Sequence, residues 1–249
     1  MAVLMFIIGA ILGSFFLVIG TRLPKGEDAF FSRSKCDYCN HTLKWYNLIP
    51  IFSYVWQLGK CSYCHKKIAI ENLVVEIATG LLFSLSYIFF PGGYHFFVAL
   101  IISSLLIIIF VSDFKYMIIL DSPLIISSIL IIILKCIYYD AKAAFISIIS
   151  GVALFFVMLL IFNIGKLLFK KEALGGGDIK LAFVIGLTLD FYLGLVAIVL
   201  STFLALPYAV ASLEIKKHSE FPYGPFLVGA LFIVFFHYDK FVNLLNFLF

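Results

Sequence analysis

Two groups of side chains have types and spacing that could do chemistry. The first centres on Asp178, which follows three glycines in Ala173-Leu174-Gly175-Gly176-Gly177-Asp178-Ile179-Lys180-Leu181. Consecutive glycines leave the backbone nearly unrestricted, so another chain can approach the carboxylate closely. A plainer reading of the same residues is a linker followed by an aspartate capping the next helix. The second group is Cys36-Asp37-Tyr38-Cys39 and Cys61-Ser62-Tyr63-Cys64, two C-x-x-C pairs in one short polar stretch. Cys36, Cys39, Cys61 and Cys64 at this spacing fit a structural Zn²⁺ held tetrahedrally by four thiolates, as in zinc ribbons. A disulfide pair and redox chemistry are the competing readings. His41 and His65 read as outer or surface residues beside the knuckles, and Cys136 as apolar packing.

The elements that must position these groups are membrane helices. With 63% hydrophobic and 13% charged residues and a mean hydropathy of +1.13, the chain is not a soluble domain. Its repeated apolar runs predict an all-α, polytopic membrane protein with about eight transmembrane helices and a small zinc-ribbon-like loop. The expected spans are 2–20, 72–90, 94–112, 117–138, 143–165, 179–189, 191–213 and 225–249. The first is not expected to be a cleaved signal, because positive charge follows it at Arg22 and no small-residue cleavage site does.

The basic residues test this topology. With eight crossings, all of the 18 lysines and arginines except Lys135, Lys142 and Lys240 fall on one face. That face should be cytoplasmic, where the cysteines would stay reduced. The net charge of +4 therefore reports topology and not a nucleic-acid footprint; the bilayer is the implied partner. The chain divides into a first helix (1–20), a cytoplasmic metal-binding loop (21–71) and a transmembrane core (72–249). Gly9 to Ser14 form a small-residue face suited to close helix packing.

Acids inside such a core are costly and signal function. Under the expected topology, Asp113 lies at the same face and near the same depth as Asp178. Paired carboxylates can share a proton, one activating water as a base and the other protonating the leaving group. That is chemistry for peptide-bond hydrolysis without a covalent intermediate. Asp121 is the rival to Asp113, its alternative role being to cap the turn before Pro123. Glu71 is explained by its position at a helix start. Glu76 is deeper, and either pairs with a lysine or faces a cavity. Asp140, Asp190 and Asp239 read as solvated acids of the opposite face.

In order and spacing, these residues resemble the type IV prepilin peptidases, membrane aspartic peptidases with an N-methyltransferase function. The resemblance is carried from end to end. It runs through Gly13-Ser14-Phe15, Arg22-Leu23-Pro24, the four cysteines, Trp45-Tyr46-Asn47-Leu48-Ile49-Pro50 and Gly59-Lys60-Cys61. It continues through Glu76-Ile77-Ala78-Thr79-Gly80, Asp113, the Gly-Gly-Gly-Asp stretch and Pro222-Tyr223-Gly224-Pro225-Phe226. It implies Asp113 and Asp178 as the catalytic pair and Asp121 as a second, non-catalytic family acid. The glycines 175, 176 and 177, with Lys180 and Glu76, would support the substrate or its loop. The implied substrate is a pilin-like precursor with a basic leader, cleaved after glycine at the cytoplasmic face of the bacterial inner membrane. The implied second activity is methylation of the new N-terminus from S-adenosylmethionine, with Gly59 and Lys60 as candidates. Leu17 and Leu120 depart from the family's asparagine and proline at those places. A peptidase without methylation and a proton-coupled transporter are the alternatives. The transporter would require acids spread through the bilayer depth and an inverted repeat.

Overall fold

The computed structural model describes all residues except Phe31, Asp37, 170–174, 217–220 and Phe249. Lys170, Lys171 and Lys217 of the basic face, and Ala173 and Leu174 of the glycine-aspartate stretch, lie outside the described residues. Among those described, every regular element is helical, with two isolated β-bridges, Lys35–Thr42 and Lys60–Lys67. The chain forms two compact units, Met1–Pro91 and Gly92–Phe249.

The first unit pairs helix α1 (Ala2–Arg22) with α3 (Ile70–Phe89). The small residues of α1 permit a close approach. A Cβ on Gly9 would stand 2.7 Å from the Thr79 carbonyl oxygen, and one on Gly13 2.6 Å from the Thr79 hydroxyl. Gly80 answers from α3, where a Cβ would meet the Phe6 ring at 2.9 Å. Packing of this kind holds helices together where lipid removes the hydrophobic drive. Between the two helices runs the polar segment. It carries 3₁₀ turns at Leu23–Lys25 and Trp45–Leu48, the short helix α2 (Phe52–Trp56) and both C-x-x-C turns. By packing, α3 belongs with the segment that precedes it, whereas the change in polarity falls at its start.

The second unit contains α4 (Gly93–Tyr116), α5 (Asp121–Tyr138), α6 (Ala141–Phe169), α7 (Gly176–Lys216), α8 (Gly224–Phe236) and α9 (Tyr238–Leu248). Its core is aliphatic, with Ile109, Leu181, Ile185, Leu189, Leu227 and Leu231 fully buried. Two features differ from the helix count expected from hydropathy. The apolar run 225–249 is not one straight helix: α8 and α9 meet at an 84° bend. Beyond that bend Asp239, Lys240, Asn243 and Asn246 alternate with apolar residues, the pattern of a helix lying along an interface. The other feature is the 41-residue α7, which is not straight.

Asp190 leaves the helical region inside α7, at φ 66° and ψ −178°. Nine residues of continuous helix advance about 13.5 Å. Yet a Cβ on Gly194 would lie 3.5 Å from Ile185 Cγ2, so the chain folds back at Asp190. Six described helices are long and apolar enough to cross a membrane, seven if the bent pair is one span. Counting the bent pair as one span and the two arms of α7 separately gives the eight expected. Asp190 is not simply solvated, since Lys135 pairs with it at 3.5 Å. Lys135 also donates to the Ser147 hydroxyl, so α5 and α6 are both tied to this reversal.

Candidate active site and metal centre

The carboxylates of interest sit at helix ends in the second unit. Asp113 lies in the last turn of α4, is buried, and its carbonyl accepts the Met117 N–H at 2.9 Å. Met117 then takes a left-handed conformation (φ 54°) and turns the chain out of the helix. The Asp113 Oδ2 accepts the Gly224 N–H at 3.0 Å, a bond between residues 111 positions apart. That donor is one of the first N–H groups of α8, which have no partner within their own helix.

Asp178 occupies the first turn of α7. Its Oδ2 accepts the Gly175 N–H at 3.0 Å, and its own N–H bonds back to the Gly175 carbonyl at 3.1 Å. This reciprocal arrangement is the acidic half of a capping box. Its Oδ1 is buried and has no hydrogen-bond partner among the described residues. Such an orphan is costly, and it is the kind of atom that a water or a substrate group completes. Asp113 is near enough for its charge to act on Asp178.

The two helix ends meet around Ile119. A Cβ on Gly177 would lie 2.6 Å from Ile119 Cβ, and one on Gly224 would lie 2.8 Å from Ile119 Cδ1 and 3.0 Å from Asp113 Oδ2. The three glycines therefore do separate jobs. Gly175 supplies an N–H, a Cβ on Gly176 would meet none of the described residues within 4 Å, and Gly177 admits Ile119. Gly176 and Gly177 have no positive φ and are already helical. Close approach, and not unusual backbone geometry, is what their small size permits here.

Asp121 is set apart from this pair. It is exposed and forms a two-oxygen ion pair with Lys180 at 2.7 and 2.8 Å. Lys180, expected to support substrate or loop, is thus engaged with the rival acid, joining the start of α5 to α7.

The first unit holds the other group. The Sγ atoms of Cys36, Cys39, Cys61 and Cys64 all lie within 4.8 Å of one another. Each C-x-x-C turn is built alike. Cys36 donates its N–H to His41 O at 3.0 Å, and Cys36 O accepts from Asn40 at 2.9 Å. Cys61 N–H bonds Lys66 O at 2.9 Å, and Cys61 O accepts from His65 at 2.9 Å. Asn40 and His65 both take the left-handed conformation, at φ 55° and 57°. His65 is thereby a turn residue, and its imidazole is not needed among the ligands.

Two of the thiols are pulled in opposite directions. Burial raises Cys36, but the N–H groups of Cys39 and Tyr38 outweigh it and bring that thiol down to about 7. The Lys66 N–H draws Cys64 down, but burial and the three neighbouring thiols push it up to about 11. Four sulfurs gathered so closely are a donor set that suits a divalent cation. The Cys36–Cys64 separation of 3.8 Å matches the edge of a tetrahedron with Zn–S bonds of about 2.3 Å. It is far from the roughly 2.05 Å of a disulfide. The cluster can hold a metal ion.

Residues 7–90 match the bacterial peptidase A24 N-terminal domain, and residues 100–210 match the type IV leader peptidase family. A Bacillus subtilis (strain 168) protein named prepilin leader peptidase/N-methyltransferase is 31% identical over 250 residues, covering 96% of each chain. The chain belongs to the type IV leader peptidase family. A Vibrio cholerae relative of the same name is 30% identical, covering 94% of this chain and 96% of its own. A Myxococcus xanthus relative, also so named, is 31% identical over 74% of this chain and 55% of its own. No solved structure shows a significant match. Membership in the leader peptidase family leaves the transporter reading without support.

The structure of this family member also places residues that sequence reading did not single out. Ile119 and Gly224 are two. The Tyr223 hydroxyl, 2.5 Å from that of Ser201, is a third, close enough to feel the charge of Asp178. Gly224 and Tyr223 were legible only as part of the Pro222-Tyr223-Gly224-Pro225-Phe226 stretch that carries the family resemblance, and Ile119 carried no signal. Glu76, expected to meet a lysine or a cavity, is buried and accepts the Ile51 N–H at 2.7 Å. Ile51 has φ 65°, a rare conformation for a β-branched residue, so Glu76 pins a strained turn. Gly59 has φ 67° and stacks on Tyr54, whose hydroxyl would lie 3.0 Å from a Cβ there. Lys60 bridges to Lys67 through its backbone.

Proposed function

We propose that the chain removes the basic leader of type IV pilin-like precursors at Asp113 and Asp178, then methylates the new N-terminus. The observation that carries the first half is the orphaned, buried Oδ1 of Asp178 within reach of the Asp113 charge. A glycine N–H fixes one oxygen of each carboxylate. One ionised carboxylate takes a proton from water, which attacks the scissile carbonyl, and the protonated partner donates to the leaving amine. The precursor is itself a membrane helix. A glycine at the cleavage point lets that helix unwind and presents an extended backbone beside Gly176, where a Cβ would meet none of the described residues within 4 Å.

The second half rests on the relatives' shared name and on the first unit. Cys36, Cys39, Cys61 and Cys64 would hold Zn²⁺, whose binding energy would order a segment with little apolar core. Gly59 and Lys60 support that region, and S-adenosylmethionine supplies the methyl group when bound. The division at 20 and 71 then separates a first helix, a metal-ordered segment for methyl transfer, and the peptidase core. The distribution of lysine and arginine supports a cytoplasmic position for the metal segment and both aspartates. The substrate would be met at the cytoplasmic face of the bacterial inner membrane.

The test is cleavage of a purified pilin precursor in proteoliposomes by the wild type, Asp113→Asn, Asp178→Asn and Asp121→Asn. Loss in the first two with retention in the third supports the assignment. Cleavage by both Asp113→Asn and Asp178→Asn would overturn it.

A further inference from the structure

The polar segment between α1 and α3 leaves an apolar face uncovered. In α2, Phe52, Val55 and Trp56 are three and four positions apart, so they share one side of the helix. All three are exposed, Phe52 at 75% and Trp56 at 90%, whereas Ser53, Tyr54 and Gln57 on the other side are half-buried. Trp45, at 77%, Ile49 and Leu58 continue the exposed apolar run before and after this helix. Trp45 and Trp56 are the only tryptophans of the chain. Apolar exposure gathered in this way marks a surface that meets something.

Depth, charge and residue type say what that is. Helix α3 has 20 residues, just enough to cross the hydrocarbon core, so its first residue, Ile70, stands at the border. Glu76 lies six residues further on, about 9 Å along the helix. Its carboxylate accepts the Ile51 N–H at 2.7 Å, so the chain enters α2 at that level, with Phe52 next in line. A soluble partner does not reach so far in; lipid is already there. Residues 44–67 hold Lys44, Lys60, Lys66 and Lys67 and no acid, and all four lysines are exposed. That charge complements anionic headgroups. Tryptophan, with an apolar body and one N–H, concentrates where membrane meets water.

We propose that this face docks on anionic lipid of the leaflet it borders. Phe52, Val55 and the two indoles sit at the boundary of headgroups and acyl chains, and the lysines sit at the phosphates. Interfacial elements of this kind lie about 5–10 Å into that boundary, the level that the bond from Ile51 to Glu76 sets. The segment is then held to the membrane at three places, its two ends and α2, which keeps the four-cysteine turns beside the bilayer. The inference stands on the membrane helices and the lysine distribution, whichever reaction the segment serves.

The experiment is tryptophan fluorescence of the full chain in nanodiscs containing anionic lipid, since no tryptophan lies outside the patch. Phospholipids brominated near the glycerol or near the chain end are the quenchers from the lipid side, and uncharged acrylamide is the quencher from water. Trp45→Phe and Trp56→Phe assign the signal to each indole. Both indoles are expected to be quenched more by the shallow bromines than by the deep ones, and to be shielded from acrylamide. In zwitterionic nanodiscs, or in the Lys44→Gln/Lys60→Gln double variant, acrylamide should quench at least about twofold more efficiently. Quenching by acrylamide and by neither brominated lipid would place the face in water and overturn the proposal. Shielding from all three quenchers would show that protein covers it, and would overturn the proposal equally. The same acrylamide access in anionic and zwitterionic nanodiscs would overturn the part given to the lysines.

Discussion

Four cysteines meet in the first unit because two short turns fold on themselves, each closed by hydrogen bonds between residues four or five positions apart. Two aspartates meet in the second unit because separate helix ends come close, with Gly177 and Gly224 yielding space to Ile119. One centre is assembled locally and offers four sulfurs to an ion. The other is assembled by long-range packing, and its carboxylates are held by glycine N–H groups. The contrast teaches where each is fragile. Taking away the cation should undo the first and spare the second; adding a single methyl group should do the reverse.

The largest effect is expected from the carboxylates. Asp113→Asn and Asp178→Asn each retain an oxygen for their glycine N–H, so folding should survive while cleavage falls by about 10³-fold or more. Methylation of a pre-cleaved peptide should persist in both. Next is Gly177→Ala, whose methyl group would stand 2.6 Å from Ile119 Cβ. Cleavage should drop about 10²-fold, and the double variant with Ile119→Gly should recover at least part of it. Failure of that rescue would show that Ile119 is not what sets the aspartates' approach.

The opposite arm of the comparison is Cys36→Ser or chelation. Bound metal, read by elemental analysis, should fall from about one ion per chain to near none. Methyl transfer should be lost while cleavage stays within about threefold. Equal loss of both activities would erase the distinction between the two centres. A smaller effect is expected from Tyr223→Phe, which removes the hydroxyl bonded to Ser201; a cleavage loss of about tenfold, mostly in kcat, would place it at the reaction. The smallest is Asp121→Asn. An exposed ion pair contributes about 0–1 kcal/mol, so cleavage should change by less than about threefold.

These differences also explain what the sequence made legible. The four cysteines could be read because a C-x-x-C turn carries its own geometry, and two of them at this spacing imply one another. Asp113 and Asp178 could be paired by membrane depth, because the distribution of lysines sets the topology without reference to acids. Ile119 could not be found that way. It is an unremarkable aliphatic residue, and its importance arises only from two glycines that lie 58 and 105 positions further along the chain. Glu76 was recognisable as an acid too deep in a helix, but not its partner, since a backbone N–H leaves no trace in side-chain identity. The bend after Phe236 was hidden by a hydropathy window that averages Asp239 and Lys240 with their apolar neighbours.

The reversal at Asp190 has a consequence for where a substrate can be cut. Asp178 and Asp190 are twelve residues apart on one arm of α7, a distance of about 18 Å along the helix. With the far end anchored through Lys135, that arm works as a measuring rod whose near end bears the acid. One residue inserted between them would lengthen the rod by about 1.5 Å and turn the carboxylate about 100° away from its partner. With Asp178 acting as proposed, the level in the bilayer at which a peptide bond is met would be written into the length of a helix, at a point remote from the bond itself.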